Sequence, residues 1–272
     1  MIAPRELPPH EGASLLLVDN SNTRTKFALA TPGACGPGEL RYCPTAELSP
    51  ETLQHCLAGW SYTQALLCSV APAAANILRQ ALGCPVTSIS AASCPQLLRG
   101  YAGAGTLGAD RIANAAAVAA CYPLPCVAVD VGTACTFDLV VEDPEGPRFA
   151  GGAIAPGLHT AANALAAQTA CLPQLTPEML REEPVPGACG QNTQQAMLTG
   201  LLYGFRGMVQ GVLAEMSRPL AQKPCVVLTG GDAELLSGHL EFDTHVDISL
   251  TLKGMLSIQQ AFGTLFCPEN AK

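Results

Sequence analysis

Two separated stretches of this chain are built to one plan, and any fold must accommodate both. LLLVDNSNTRTKFAL begins at Leu15 and CVAVDVGTACTFDLV at Cys126. Each reads as an apolar strand, an Asp, any residue, a tiny residue, a cluster of hydroxyl or amide groups, and a return strand. Such self-similarity points to duplication. A strand-end turn of small residues presents several backbone N–H groups in a concave patch suited to phosphate oxygens. Ser21 and Gly132 keep bulk out of that patch, and Thr23, Thr133 and Thr136 add hydroxyls. Asp19 and Asp130 can hold a cation, and cations bridge phosphates. Two ordinary hairpins with polar turns would use the same residue types. A matched pair, each on a buried strand, favours a nucleotide triphosphate site.

The rest of the composition allows such a protein and excludes others. The chain has 272 residues, 49% of them hydrophobic and 13% charged, enough for one large domain or two modest ones. Net charge is −8, with 14 basic against 22 acidic residues and no basic run, so nucleic acid is not an expected partner. There are 13 cysteines, an odd number, none spaced as C-x-x-C. Many, such as Cys68, Cys126 and Cys225, sit in apolar runs and read as small buried hydrophobes in a reducing cytoplasm. The apolar stretch from Ile112 to Val131 is broken by Asn114, Pro123 and Pro125. It reads as helix, turn and strand, so no membrane partner is expected.

Helix and strand patterns alternate, which makes the class α/β. Residues 1–13 read as a disordered tail. Strands are expected at Leu15–Val18, Lys26–Ala30, Ala65–Val70, Val86–Ile89, Cys126–Val129, Thr136–Val141 and Val226–Leu228. Helices are expected at Glu51–Gly59, Ala73–Leu82, Ala109 to Cys121 and Asn192–Met216, with another opening at Ala233–Leu236. Residues 31–50 look like a loop or hairpin. Gly151 to Gly157 reads as a loop leading into a helix, whose N-terminus favours anions. Thr229-Gly230-Gly231-Asp232 is a turn where a flat ring could approach the backbone. A domain boundary falls near Pro123–Pro125, giving domains at 14–124 and 125–272.

Gly103-x-Gly105-x-x-Gly108 spells a dinucleotide fingerprint, but its lead-in from Pro95 to Ala102 is a poor strand. Neither a P-loop nor a G-x-S-x-G elbow is present. Gly108-Ala109-Asp110-Arg111 places a carboxylate beside a guanidinium at a helix start. Two readings stand: an acid favoured by the helix dipole with a surface arginine, or a general base beside a carboxylate-binding fork.

The ordered set Asp19-x-x-Asn22-Thr23-x-x-Lys26, Gly108-Ala109-Asp110-Arg111, Asp130-x-Gly132-Thr133-Ala134-x-Thr136-x-Asp138 and Gly151-Gly152-x-Ile154-x-Pro156-Gly157 resembles the type III pantothenate kinases. Ser69–Pro72, Thr169–Pro173, Asn192-Thr193 and Thr229–Gly231 add to the match, which runs from about Leu15 into the C-terminal region. The resemblance implies an actin-like fold: duplicated ribonuclease-H-like domains with the active site in the interdomain cleft, usually in a homodimer. It implies ATP-dependent phosphorylation of pantothenate to 4'-phosphopantothenate, the first step towards coenzyme A, with Mg²⁺ and a monovalent cation, K⁺ or NH₄⁺.

By that resemblance the loop Asp19, Asn20, Ser21, Asn22, Thr23, Arg24, Thr25 and Lys26, together with Thr133, would bind ATP. Asp110 would take the proton from the pantothenate hydroxyl and Arg111 would hold its carboxylate. Tyr101, Gly108, Ala109 and Thr193 would complete the pantothenate site, and Asp130 would hold the monovalent cation. Such a division suits phosphoryl transfer, which needs alignment, charge neutralisation and one base. The family has Gly where this chain has Ser21 and an apolar residue where it has Asn20. Those departures keep a second reading open, a non-catalytic nucleotide-binding relative. A third is another transfer on the same scaffold.

Overall fold

The computed structural model describes residues 4–8, 13–181 and 187–262. In chain order its elements are β1 (Leu15–Asn20), β2 (Arg24–Ala30), β3 (Leu40–Pro44), α1 (Pro50–Cys56), β4 (Gln64–Ser69), α2 (Pro72–Ala81), β5 (Val86–Ser88), α3 (Ala109–Cys121), β6 (Cys126–Val131), β7 (Ala134–Asp143), β8 (Gly146–Pro156), α4 (Leu158–Gln168), α5 (Thr193–Ser217), β9 (Cys225–Thr229), β10 (Thr244–Val246) and α6 (Leu250–Phe262).

The strands form two five-stranded sheets, β3-β2-β1-β4-β5 and β10-β9-β6-β7-β8. Read from β8, the second sheet repeats the first: three strands consecutive in sequence, then two more entering on the far side of the first. In the first sheet β1 pairs antiparallel with β2 and parallel with β4. The second sheet's outer pair, β9 and β10, is parallel, as β4 and β5 are. The duplication read from the two Asp loops therefore extends to whole sheets.

By contact the chain divides into two compact units, neither of them continuous. One comprises Met1–Cys126, Val140–Gly151 and Ser249–Lys272; the other comprises Val127–Leu139 and Gly152–Ile248. In the first unit, Leu16, Val18, Phe27 and Leu67 pack with Leu53 and Leu57 of the α1 region and Ala75, Leu78 and Leu82 of the α2 region. On other contacts of the same sheet, α6 packs on β1 and α3 on β4. Helix α1 starts with a Ser49–Thr52 capping box and Pro50 in its first turn. Helix α3 is alanine-rich, a strong helix-forming composition, and α6 lies tightly along it. A Cβ at Gly254 would overlap the Ala113 carbonyl, and Thr251 Oγ1 donates to Asn114 Oδ1 at 2.9 Å. In the second unit α5 is capped by Asn192, whose side chain accepts from Gln195 N at 2.9 Å.

Several sequence expectations need correction. The stretch from Gly151 to Pro156 is part of strand β8, not a loop, although α4 does begin just beyond Gly157. Its glycines and alanines lack the alternation that marks a strand. Ala233–Leu236 is a single 3₁₀ turn rather than the opening of a helix. β10 and α6 were not expected. The Gly103–Gly108 run follows no strand and holds only a 3₁₀ turn at Ala104–Thr106, as its lead-in suggested. Of the expected tail, residues 1–3 and 9–12 lie outside the described residues. Arg5 N donates to Cys121 O at 2.6 Å, and Leu7 is buried. The cysteines among the described residues are free, and burial pushes the thiols of Cys94 and Cys135 up to about 12. No described helix is long and apolar enough to cross a membrane.

Candidate active site

Strand geometry divides the first loop between two faces. Successive side chains of β1 point to opposite sides, so Leu16 and Val18 share the α1–α2 core with Asn20 on their side, while Asp19 points the other way. The register pairs Asp19 with Lys26 and Asn20 with Thr25. Cross-strand partners meet, and Lys26 Nζ lies 3.2 Å from Asp19 Oδ2. Asn20 is 1% exposed and donates to Thr25 Oγ1 at 2.8 Å, while Ser69 Oγ donates to its Oδ1 at 2.6 Å. Thr25, also buried, shares a 3.0 Å hydroxyl contact with Thr45. The side chains of Asn20 and Thr25 therefore hold the hairpin together from inside. Asp19, Lys26 and the turn from Ser21 to Arg24 remain to meet a ligand.

Ser21 is also used locally. Its Oγ donates to Arg24 O at 2.8 Å and accepts from Arg24 N at 3.3 Å. Thr45 Oγ1 donates to Ser21 O at 2.7 Å. The hydroxyl that replaces a bare glycine is thus folded back into its own turn. Asn22, Thr23 and Arg24 are exposed, with the Arg24 guanidinium 5.0 Å over the Tyr42 ring.

Asp110 stands in the first turn of α3, where its Oδ1 accepts from Arg111 N at 2.8 Å. Gly108 precedes the helix, and a Cβ there would lie 2.5 Å from Asp110 Oδ1. Burial raises the Asp110 pKa, and the nearby charge of Asp19 raises it further. The Arg111 amide and charge work in the opposite direction. Asp110 therefore lies at a helix N-terminus as a part-buried carboxylate near Asp19. A carboxylate held above its ordinary pKa is a better proton acceptor.

Tyr101 and Arg111 meet through a residue the sequence did not single out. The Tyr101 ring stands edge-on to Phe149, centroids 4.9 Å apart at 88°, and the Arg111 guanidinium carbon lies 5.9 Å from the Phe149 centroid. Nothing in the sequence marked Phe149, because its role depends on a hairpin folding back across the chain.

Asp130, Thr133 and Thr193 belong to the second unit. Asp130 is near the end of β6, and Gly132 N donates to Ala134 O at 3.0 Å to close the turn. Gly157 N and Thr160 Oγ1 donate to Thr133 O at 3.1 and 2.6 Å, which ties the start of α4 to this turn. Gly230 has φ +91°, and a Cβ there would lie 2.5 Å from Asp130 Oδ1 and overlap Val131 O. On the side where a Gly230 side chain would point, this glycine turn packs against Val131 and Asp130. Asp232 N donates to Val131 O at 3.1 Å, and its carboxylate, 4% exposed, meets Arg181 and His159. Thr193 is exposed at the first turn of α5. Among the described residues no group of three or more His, Cys, Asp or Glu could hold a metal.

The fold has solved counterparts. It is similar to a Baf family protein from Campylobacter jejuni described as a transcriptional activator, at TM-score 0.60 and 19% identity, covering 92% of this chain and 99% of that one. It is also similar to a glucokinase from an Antarctic psychrotroph, at TM-score 0.51 and 12% identity, covering 92% and 100%. These likenesses, with the duplicated sheets, define an actin-like α/β protein. The type III pantothenate kinase family model matches residues 15–215. A type III pantothenate kinase from Akkermansia muciniphila is 43% identical over 242 residues, 88% of this chain and 96% of that protein. The chain belongs to the type III pantothenate kinase family, and it is an enzyme that uses ATP.

Proposed function

We propose that this kinase transfers the γ-phosphoryl group of ATP to the hydroxyl of pantothenate, giving 4'-phosphopantothenate and ADP. The carrying observation is the placement of Asp110, part-buried at a helix start beside the Asp19–Lys26 pair. In the step, the acceptor oxygen forms a bond to the γ-phosphorus and the bond to the β-phosphate oxygen breaks. The hydroxyl proton passes to Asp110, and ADP leaves with the electron pair of the broken bond. Most of the barrier reduction comes from alignment and charge neutralisation. Lys26 and the backbone of Ser21–Arg24 grip the phosphates. Arg111 holds the pantothenate carboxylate, with Tyr101, Gly108, Ala109 and Thr193 shaping that site. Thr133 contacts ATP.

Mg²⁺ suits the first loop. It commonly binds through one or two carboxylates plus substrate phosphates, and Asp19 supplies a carboxylate there. A monovalent cation suits the Asp130 carboxylate, which lies beside the Gly230 turn. When bound, these ions offset phosphate charge. The Ser21 hydroxyl bonds back into its own turn, which supports a first loop that still accepts phosphate. A cytoplasmic homodimer is the working assembly.

The test is ADP release with ATP, Mg²⁺ and K⁺, with and without pantothenate. Pantothenate-dependent turnover is expected, and its absence across a wide range of ATP would sink the proposal.

A further inference from the structure

We propose that Phe149 is a positioning residue for acceptor recognition, fixing Arg111 and Tyr101 so that the site prefers an acceptor bearing a carboxylate. This rests on the reading that those two residues take pantothenate. Phe149 is 1% exposed, and its surroundings explain why it cannot drift. Its backbone N donates to Leu97 O at 2.8 Å, joining β8 to the segment that leads into Tyr101. Arg99 fastens the same segment to the β7–β8 turn. It donates to Gly146 O at 2.6 Å and Pro147 O at 2.9 Å, and it pairs with Asp143. Arg148 Nε donates to the other Asp143 oxygen at 2.9 Å. The turn, the lead-in and the ring therefore move as one piece.

What the ring holds is informative. An aromatic ring carries negative charge on its faces and positive charge at its edge, so it attracts a guanidinium and packs edge-on with another ring. Phe149 does both, with Arg111 and with Tyr101. Arginine binds a carboxylate best through its planar fork, and a fork already oriented loses less freedom on binding. A purely space-filling residue would serve equally well as leucine. A residue that orients a cation requires the ring's electron distribution.

The test compares the unaltered protein with Phe149→Leu and a protein carrying pentafluorophenylalanine at position 149, which keeps a similar shape but reverses the ring's charge pattern. Each is assayed with pantothenate, with varied ATP, and with pantothenyl alcohol, which lacks the carboxylate, as acceptor or competitor. For the fluorinated and leucine forms, KM for pantothenate should rise about threefold to tenfold, the range expected for a partly buried cation–π contact. KM for ATP and the constant for the alcohol should stay put. An unchanged fluorinated form overturns the proposal, as does an equal loss for acid and alcohol. No turnover in the unaltered protein instead defeats the kinase reading, and this proposal with it.

Discussion

Replacing Gly108 with alanine should separate catalysis from folding. Gly108 has φ −58° and ψ 142°, angles that alanine adopts without strain. Restricting the unfolded chain at a compatible position stabilises by about 0.4–1 kcal/mol. The added Cβ, however, would sit 2.5 Å from Asp110 Oδ1, with Val70 Cγ1 behind it at 3.6 Å. Such approaches below 3.0 Å are essentially never seen, so the carboxylate must retreat by about 0.5 Å or more. Misplacing a reacting group by about 1 Å costs on the order of a hundredfold, so half that displacement is expected to lower kcat about tenfold. Steady-state kinetics gives the rate, and a thermal melt checks that the fold is intact. A kcat within about twofold of the unaltered enzyme would refute the assignment of Asp110 as the base, since its position would not matter. A collapsed melt would refute the claim that position 108 tolerates a side chain on backbone grounds.

Two further substitutions probe the carboxylates. Asp110→Asn should cut turnover by roughly a hundredfold or more, the usual contribution of a general base. It should also stabilise: because the folded-state pKa of Asp110 is raised, the folded protein holds its proton longer than the unfolded chain, and stability falls as pH rises through that interval. The variant's melting temperature should exceed the unaltered protein's at neutral pH and match it below the ordinary carboxylate range; equal melts at neutral pH would contradict the burial cause. Gly230→Ala forces a positive φ on a side chain and crowds Asp130, so it should lose about 1–3 kcal/mol from backbone strain alone and demand more K⁺ for half-maximal rate. An unchanged melt and K⁺ titration would show that the turn does not hold Asp130.

The sequence exposed the site's loops because its punctuation is local. Asp19 and Lys26 bracket a tight turn between two strands, and any antiparallel hairpin of that length brings them level. Which face would carry the chemistry was hidden, because all of β1 is buried and both of its sides look apolar. The resemblance groups Asn20 and Thr25 with the ATP loop, and their side chains bond to each other inside the hairpin. Strand β8 was hidden by its glycines and alanines, which lack the alternation of a half-buried strand. Phe149 lies in β8, so its neighbours Tyr101 and Arg111 could not be connected to it before the hairpin was placed. In α6, Gly254 resembles a helix breaker until the Ala113 carbonyl is found against it.

That last contact bears on the order in which the protein is made. Asp110 is carried by α3, and α3 is seated against a helix encoded more than a hundred residues later. A nascent chain halted before residue 250 has both Asp loops, Asp110 and Arg111, yet lacks the helix against which α3 is set. Helix α3 therefore reaches its final seating only after the residues of α6 have been made.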